Sequence, residues 1–93
     1  MTQPIMQLLD LLGRRWALRV LWELRDQPLT FRALRDASGG LSPSVLNARL
    51  KELRDAGIVE LGDAGYALTS HGRALGELLL PLDSWARRWA KRR

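Results

Sequence analysis

The segment Leu41 to Leu61, L-S-P-S-V-L-N-A-R-L-K-E-L-R-D-A-G-I-V-E-L, constrains this chain more than any other. It holds a helix start, about four turns of amphipathic helix, a Gly stop and a short β-branched strand. Ser42 fits an N-cap, because its hydroxyl can accept a hydrogen bond from a first-turn N–H. Pro43 follows at the first helical position, where its fixed φ suits the helix and no donor is lost. Leu46, Leu50 and Leu53 recur at i, i+4 and i+7 and make one apolar stripe. Ser44, Asn47, Ala48, Lys51 and Arg54 form a small, polar and basic face beside it. Gly57 ends the helix, since glycine adopts the left-handed C-terminal conformation without steric cost. A helix with one apolar face and one face of short polar side chains fits the major groove of DNA. Residues 42–56 are therefore the candidate recognition helix.

At 93 residues the chain supports one domain, 1–93, with a single core. At this size only roughly 60–70% of the unfolded surface is buried, so a dimer interface would add substantially to stability. No run approaches the ~20 apolar residues that span a bilayer. The start, M-T-Q-P-I-M, lacks the basic region and cleavage site of a signal peptide. With no cysteine, the chain has no disulfide, thiolate metal site or thiol redox sensor of its own. The expectation is a soluble cytoplasmic protein with no membrane partner. The net charge of +5 favours a polyanionic partner, although Lys91, Arg92 and Arg93 supply three of those charges at the very end. Arginine outnumbers lysine by 13 to 2, which genome composition explains as readily as phosphate recognition.

Neither repeats nor low-complexity segments interrupt the pattern. Pro4 to Leu12 reads as a first helix, with Ile5, Leu8, Leu9 and Leu12 at helical spacing and Gly13 after it. Arg15 to Arg25 reads as a second, with Ala17, Val20, Leu21 and Leu24 on one face. Trp16, Leu18 and Trp22 lie off that stripe, so this helix is apolar around more than half its circumference and is central or shared with a partner. Thr30 caps a third helix, Phe31 to Ala37, and Ser38-Gly39-Gly40 leads tightly into the Ser42 helix. Two helices joined by a short Gly-containing turn satisfy the helix-turn-helix pattern, here about 30–56. Ile58 to Leu61 and Tyr66 to Leu68 read as a hairpin around Gly62-Asp63-Ala64-Gly65, a wing of about 58–68. Thr69 caps a last helix of about 69–91. The fold class is mainly α with a small β-hairpin: a winged helix-turn-helix with a long C-terminal dimerisation helix.

The blocks G-R-R-W-A-L-R-V-L-W-E-L, L-T-F-R-A-L-R-D, G-L-S-P-S-V-L-N-A-R-L-K-E-L-R-D-A-G-I-V and Y-A-L-T-S-H-G-R-A-L resemble successive blocks of the HxlR-type bacterial regulators, near the MarR-like group. The resemblance runs from about Pro4 to Trp89. It rests on the Trp after Gly, the Phe-x-x-Leu of the third helix and the Leu-Thr-x-x-Gly block. It implies a dimeric, DNA-binding transcription factor. Two departures stand out. Family members often carry a sensing Cys just before the first-helix Pro, where this chain has Gln3. Their wings are usually longer and often carry Arg, whereas this one is short, has no basic residue and puts Asp63 at its tip.

On that reading Ser42 and Ser44 bond phosphate, Asn47 pairs with adenine, and Ala48 touches a thymine methyl. Arg49 and Lys51 reach phosphate or guanine, while Arg32 and Arg35 on the third helix reach the backbone. The alternative for each is a solvated face. His71, the single histidine, has no second His or Cys to complete a metal site and no positioned nucleophile, so it reads as a capping-turn or surface residue. No cofactor or metal is expected. Leu75, Leu78, Leu79, Leu82, Trp85, Ala86 and Trp89 keep helical phase across Pro81, so the last helix kinks there rather than ends. With Ile5, Leu8 and Leu9 of the first helix, Leu78, Leu82, Trp85 and Trp89 form the expected dimerisation surface. Intramolecular packing with a free tail, or a membrane-surface helix flanked by Arg87, Arg88 and Lys91 to Arg93, would use the same residues. Trp16, Trp22 and Trp85, with Trp89, could line an apolar effector pocket for a flat ligand at the dimer interface; core packing and interface burial would explain the same residues without a ligand.

The expected function is a homodimeric repressor on an inverted-repeat operator in double-stranded DNA. The rival is a winged-helix protein-interaction module that has lost operator binding, which the acidic-tipped wing favours. An enzyme is not expected: the sequence has no catalytic cluster, Gly-rich phosphate loop or cofactor motif.

Overall fold

Three hydroxyls start three of the helices, and a computed structural model describing residues 3–92 places each of them. Thr30 Oγ1 accepts from Ala33 N–H at 3.1 Å, Ser42 Oγ from Val45 N–H at 3.2 Å, and Thr69 Oγ1 from Gly72 N–H at 3.0 Å. The elements are α1 (Pro4–Leu12), α2 (Ala17–Glu23), α3 (Phe31–Ala37), α4 (Pro43–Asp55), β1 (Val59–Gly62), β2 (Gly65–Leu68), α5 (Ser70–Leu79) and α6 (Pro81–Lys91). Arg93, counted above with the basic tail, lies outside the described residues.

The stripe on α4 is the centre of the core. Leu46, Leu50 and Leu53 are all buried and meet Val20, Leu21 and Leu24 from α2 and its end, with Leu34 from α3. Leu41, Ile58, Val59 and Leu68 close the cluster. Each fully buried Leu of this kind contributes about 1.5–3 kcal/mol. α2 is the hub that packs on α1, α3 and α4. By contrast, α1 and α6 contribute no buried residue.

The second helix begins later than its apolar run suggests. Trp16 has φ 78°, the left-handed region, so the helix cannot extend back to Arg15. A left-handed non-glycine residue costs about 1–2 kcal/mol. Ala17 N–H bonded to Arg14 O at 3.1 Å and Val20 N–H to Trp16 O at 3.0 Å hold the turn, while the indole packs on the core. At its far end α2 gives way at Glu23, two residues short of Arg25.

α4 ends in a Schellman arrangement. Ile58 N–H reaches Leu53 O and Gly57 N–H reaches Arg54 O, both at 2.9 Å, with Gly57 at φ 76°. The hairpin pairs Val59 with Leu68, Glu60 with Ala67, Leu61 with Tyr66 and Gly62 with Gly65, so β1 starts one residue after the expected Ile58. A third chain segment joins it: Leu29 N–H donates to Tyr66 O at 2.9 Å and Tyr66 N–H to Leu29 O at 2.8 Å. Gly65 permits this approach, because a Cβ there would lie 2.5 Å from Leu29 O.

Thr69 ties the wing's return to the end of α4. Its N–H bonds Ile58 O at 3.0 Å and its hydroxyl donates to Gly57 O at 2.6 Å while capping α5. Gly72 sits against the same carbonyl. The Leu-Thr-x-x-Gly block is thus a core residue, a cap and a close approach in succession. In place of one last helix kinked at Pro81 there are two, with α5 ending at Leu79 and α6 starting at Pro81. Leu80 stays helical (φ −55°, ψ −39°) and its N–H reaches Gly76 O at 2.9 Å. Pro81 has no N–H, and the next turn closes from Asp83 N–H to Leu80 O at 3.0 Å, an i to i−3 bond.

Candidate nucleic-acid interface

Burial of Leu46, Leu50 and Leu53 leaves the opposite side of α4 in solvent. Ser42, Ser44, Asn47, Lys51 and Arg54 are all exposed on that side. The Ser42 and Ser44 hydroxyls lie 3.3 Å apart at the helix start, beside first-turn N–H groups aimed outward. Lys51 Nζ bonds Asp55 at 2.9 Å in a surface i, i+4 pair that a phosphate could displace at small cost. Asn47, Lys51, Arg54 and Tyr66 line one groove between α4 and the wing, with Glu60 and Leu61 on its far side. Arg54 takes its expected place on the polar face, and Tyr66 is an addition to the site expected from sequence. Arg54 follows Asn47 by seven residues and Lys51 by three, a spacing that already places it on their face. Tyr66 needed the hairpin's register to be found.

One residue expected at DNA, Arg49, faces elsewhere. Arg49 is 18% exposed and gives both its bonds to Glu52, one of them at 2.9 Å. Arg14, from the turn before α2, pairs with the same carboxylate at 3.2 Å. Arg49 follows Leu46 by three residues and precedes Leu53 by four, so it shares the face of the core stripe. Ala48 is half-buried at the edge of the polar face.

On α3, Arg32 is exposed with no ion pair among the described residues, which leaves its charge available to a backbone phosphate. Arg35 Nε donates to Leu41 O at 3.2 Å and braces the turn between α3 and α4. That turn is built by Gly39 and Gly40, at φ 86° and 84°. The wing carries Glu60 and Asp63 and no cation from 58 to 68, so its tip is negative. His71 is exposed in the first turn of α5.

Most of the residues expected at a dimer surface are exposed. Ile5, Leu9, Leu78, Leu82, Trp85 and Trp89 are exposed and Leu8 is half-buried. Trp85 and Trp89 stack with centroids 5.8 Å apart and rings 17° from parallel. Among the described residues of one protomer, the three tryptophans expected around an effector at the dimer interface lie in different places. Trp22 lines a cavity against α5, Trp16 a separate depression with Leu12 and Gly13, and Trp85 lines neither. Trp16 precedes α2 in the left-handed conformation, Trp22 lies in α2 and Trp85 in α6.

A family model for the HxlR-like helix-turn-helix matches residues 11–93. The Bacillus subtilis regulator YvaP, described as an uncharacterized HTH-type transcriptional regulator, is 32% identical over 87 residues, covering 86% of this chain and 81% of that protein. The quinone-bound crystal structure of YodB from B. subtilis superposes with a TM-score of 0.81 at 31% identity, over 95% of this chain and 99% of that one. A possible HxlR family transcriptional factor from Thermoplasma volcanium gives a TM-score of 0.83 at 28% identity, over 97% of this chain and 87% of that one.

Proposed function

This chain belongs to the HxlR-like helix-turn-helix family of DNA-binding transcriptional regulators, and on that premise we propose that it is a homodimeric repressor reading an inverted-repeat operator. The observation that carries the proposal is the exposed face of α4, with Ser42, Ser44, Asn47, Lys51 and Arg54 standing on a leucine stripe that is fully packed. Ser42, Ser44 and the first-turn N–H groups take phosphate, Asn47 takes a base edge, and Lys51 and Arg54 follow the groove. Arg32 adds a backbone contact from α3. A second copy covers the exposed apolar residues of α1, α5 and α6, and the two α4 helices then enter successive major grooves about 34–36 Å apart. None of the described helices is long and apolar enough to cross a membrane, and the reading places the protein in the cytoplasm beside its DNA.

The test is fluorescence anisotropy with labelled duplex from the gene's own upstream region beside a scrambled duplex. Nanomolar binding to the first alone supports the proposal. If the dimer neutralises roughly 6–10 phosphates, affinity falls by about 10³–10⁵ between about 50 and 200 mM salt. The acidic wing, with Glu60, Asp63 and an exposed Leu61, favours a second reading as a protein-interaction module. Absence of binding to either duplex by a folded dimer would select that reading.

A further inference from the structure

The two flanks of the proposed reading helix differ in charge. A helix seated in a major groove about 12 Å wide has a phosphate strand on either side of it. On one flank stand α3 and the start of α4, where exposed Arg32, Ser42 and Ser44 can all take phosphate. Two arginines, Arg32 and Arg35, face a single carboxylate there, Asp36. On the other flank lies the wing, which carries Glu60 and Asp63 and no cation from 58 to 68. Both carboxylates are exposed, and neither has an ion pair among the described residues.

The groove between α4 and the wing shows the same division at close range. Its helix wall holds Lys51 and Arg54, with Asp55 bonded to Lys51 at 2.9 Å. Its wing wall holds Glu60 and the apolar Leu61, and Tyr66 adds a hydroxyl but no charge. A phosphate strand entering here is drawn to the helix wall and pushed from the wing wall. The hairpin has no freedom to turn another side chain toward that strand. With Gly62 paired to Gly65, only Asp63 and Ala64 form its loop. Leu29 holds Tyr66 by backbone bonds of 2.9 and 2.8 Å, and a Cβ on Gly65 would stand 2.5 Å from Leu29 O. At the base of the wing Thr69 N–H bonds Ile58 O at 3.0 Å.

We propose that the DNA backbone at each half-site is held from one side only. α3 and α4 take its phosphates, while Glu60 and Asp63 keep the wing off the neighbouring strand and out of the minor groove beyond it. Bases are then read in the major groove alone, and the wing's two carboxylates shape recognition by exclusion. The proposal rests on α4 entering a major groove, as argued above.

The test is a scan of the operator with single methylphosphonates, each of which removes the charge of one phosphate, read by anisotropy with the full chain. The chain has no cysteine, so Ala64→Cys carrying a strand-cleaving iron chelate marks which phosphates lie beside the wing. Neutralising a phosphate beside α3 and α4 should weaken binding by about fivefold or more. Neutralising one beside the wing should leave binding unchanged or tighten it by up to about twofold, the effect of like charges about 8 Å apart in water. Inosine in place of guanine removes the minor-groove N2 amino group and keeps the major-groove pattern, so it should change affinity by less than about twofold. Three results would each overturn the proposal. They are weaker binding on neutralising wing-side phosphates, a response to inosine of about fivefold or more, and tightening that persists in a folded Glu60→Gln, Asp63→Asn double variant. An operator bound no better than a scrambled duplex would instead refute the reading of α4 beneath it. With a bound operator, the scan judges the wing alone.

Discussion

Two glycines one helical turn apart in α5 should respond to alanine in opposite directions. At Gly72 a Cβ would stand 2.1 Å from the Ile58 carbonyl oxygen. Relief requires a shift of about 1 Å in that carbonyl, because real Cβ contacts stay beyond about 3 Å. The carbonyl is anchored: Thr69 N–H bonds it at 3.0 Å, and the Thr69 hydroxyl lies 3.2 Å from it and 2.6 Å from Gly57 O. Loosening two of those bonds at about 0.5–1.5 kcal/mol each, on top of about 1–3 kcal/mol of overpacking, gives about 2–6 kcal/mol of destabilisation. At Gly76 the added methyl meets only Leu68 at 3.8 Å, and the helix gains about 0.5–1 kcal/mol from the better propensity of alanine. For a domain of this size each kcal/mol moves Tm by about 4–8 °C. Gly72→Ala should therefore lower Tm by about 8 °C or more, and Gly76→Ala should raise it by a few degrees. Urea and thermal unfolding followed by far-UV circular dichroism, at one protomer concentration so that association does not differ, measure both. A Gly72→Ala protein within about 1 kcal/mol of wild type, or a Gly76→Ala protein less stable than wild type, would refute the contact reasoning.

Other perturbations separate the interface from the scaffold. Asn47→Ala should weaken the best operator by about 1–3 kcal/mol and relax preference at one base pair, measured by anisotropy across single-base variants of the site. Asp63→Arg reverses the charge of the wing tip; affinity should rise and the salt slope steepen by about one unit per protomer. Glu52→Gln releases Arg14 and the largely buried Arg49 at once. A loss of about 1–2 kcal/mol in urea unfolding is expected, with little change in which bases are preferred. Trp85→Ala should shift sedimentation equilibrium toward monomer and make Tm more dependent on concentration, if the exposed apolar residues are where the second copy sits.

What the residues announce in advance is what local chemistry decides. Thr30, Ser42 and Thr69 cap because a hydroxyl at that position has a first-turn N–H to accept from, whatever surrounds it. Gly57 stops α4 for a reason confined to its own φ. The left-handed Trp16 is the opposite case, since no local preference favours it and only core packing makes it tolerable. Leu29's bridge to Tyr66 is equally hidden, being a pairing between residues far apart in the chain. On α4 the leucine stripe is legible from its period, and so is the inward position of Arg49, three residues after Leu46 and four before Leu53. The fate of the tryptophans was not readable, because indole rings at similar spacing suit a core, a cavity wall or a surface stack equally well.

The Thr69–Gly72 junction has a mechanical consequence. By fastening the end of α4 to the start of α5, it makes the reading helix and α5 one stiff jaw. Two such jaws in the proposed dimer behave as a pair of callipers. Their gap cannot be adjusted near the tips, where the hydrogen bonds are. It is set at the pivot, where α5 passes through Leu80 and Pro81 into α6. In such a dimer a change of a few degrees there would move the two tips relative to each other, so the length of DNA spanned would be set far from the residues proposed to touch it.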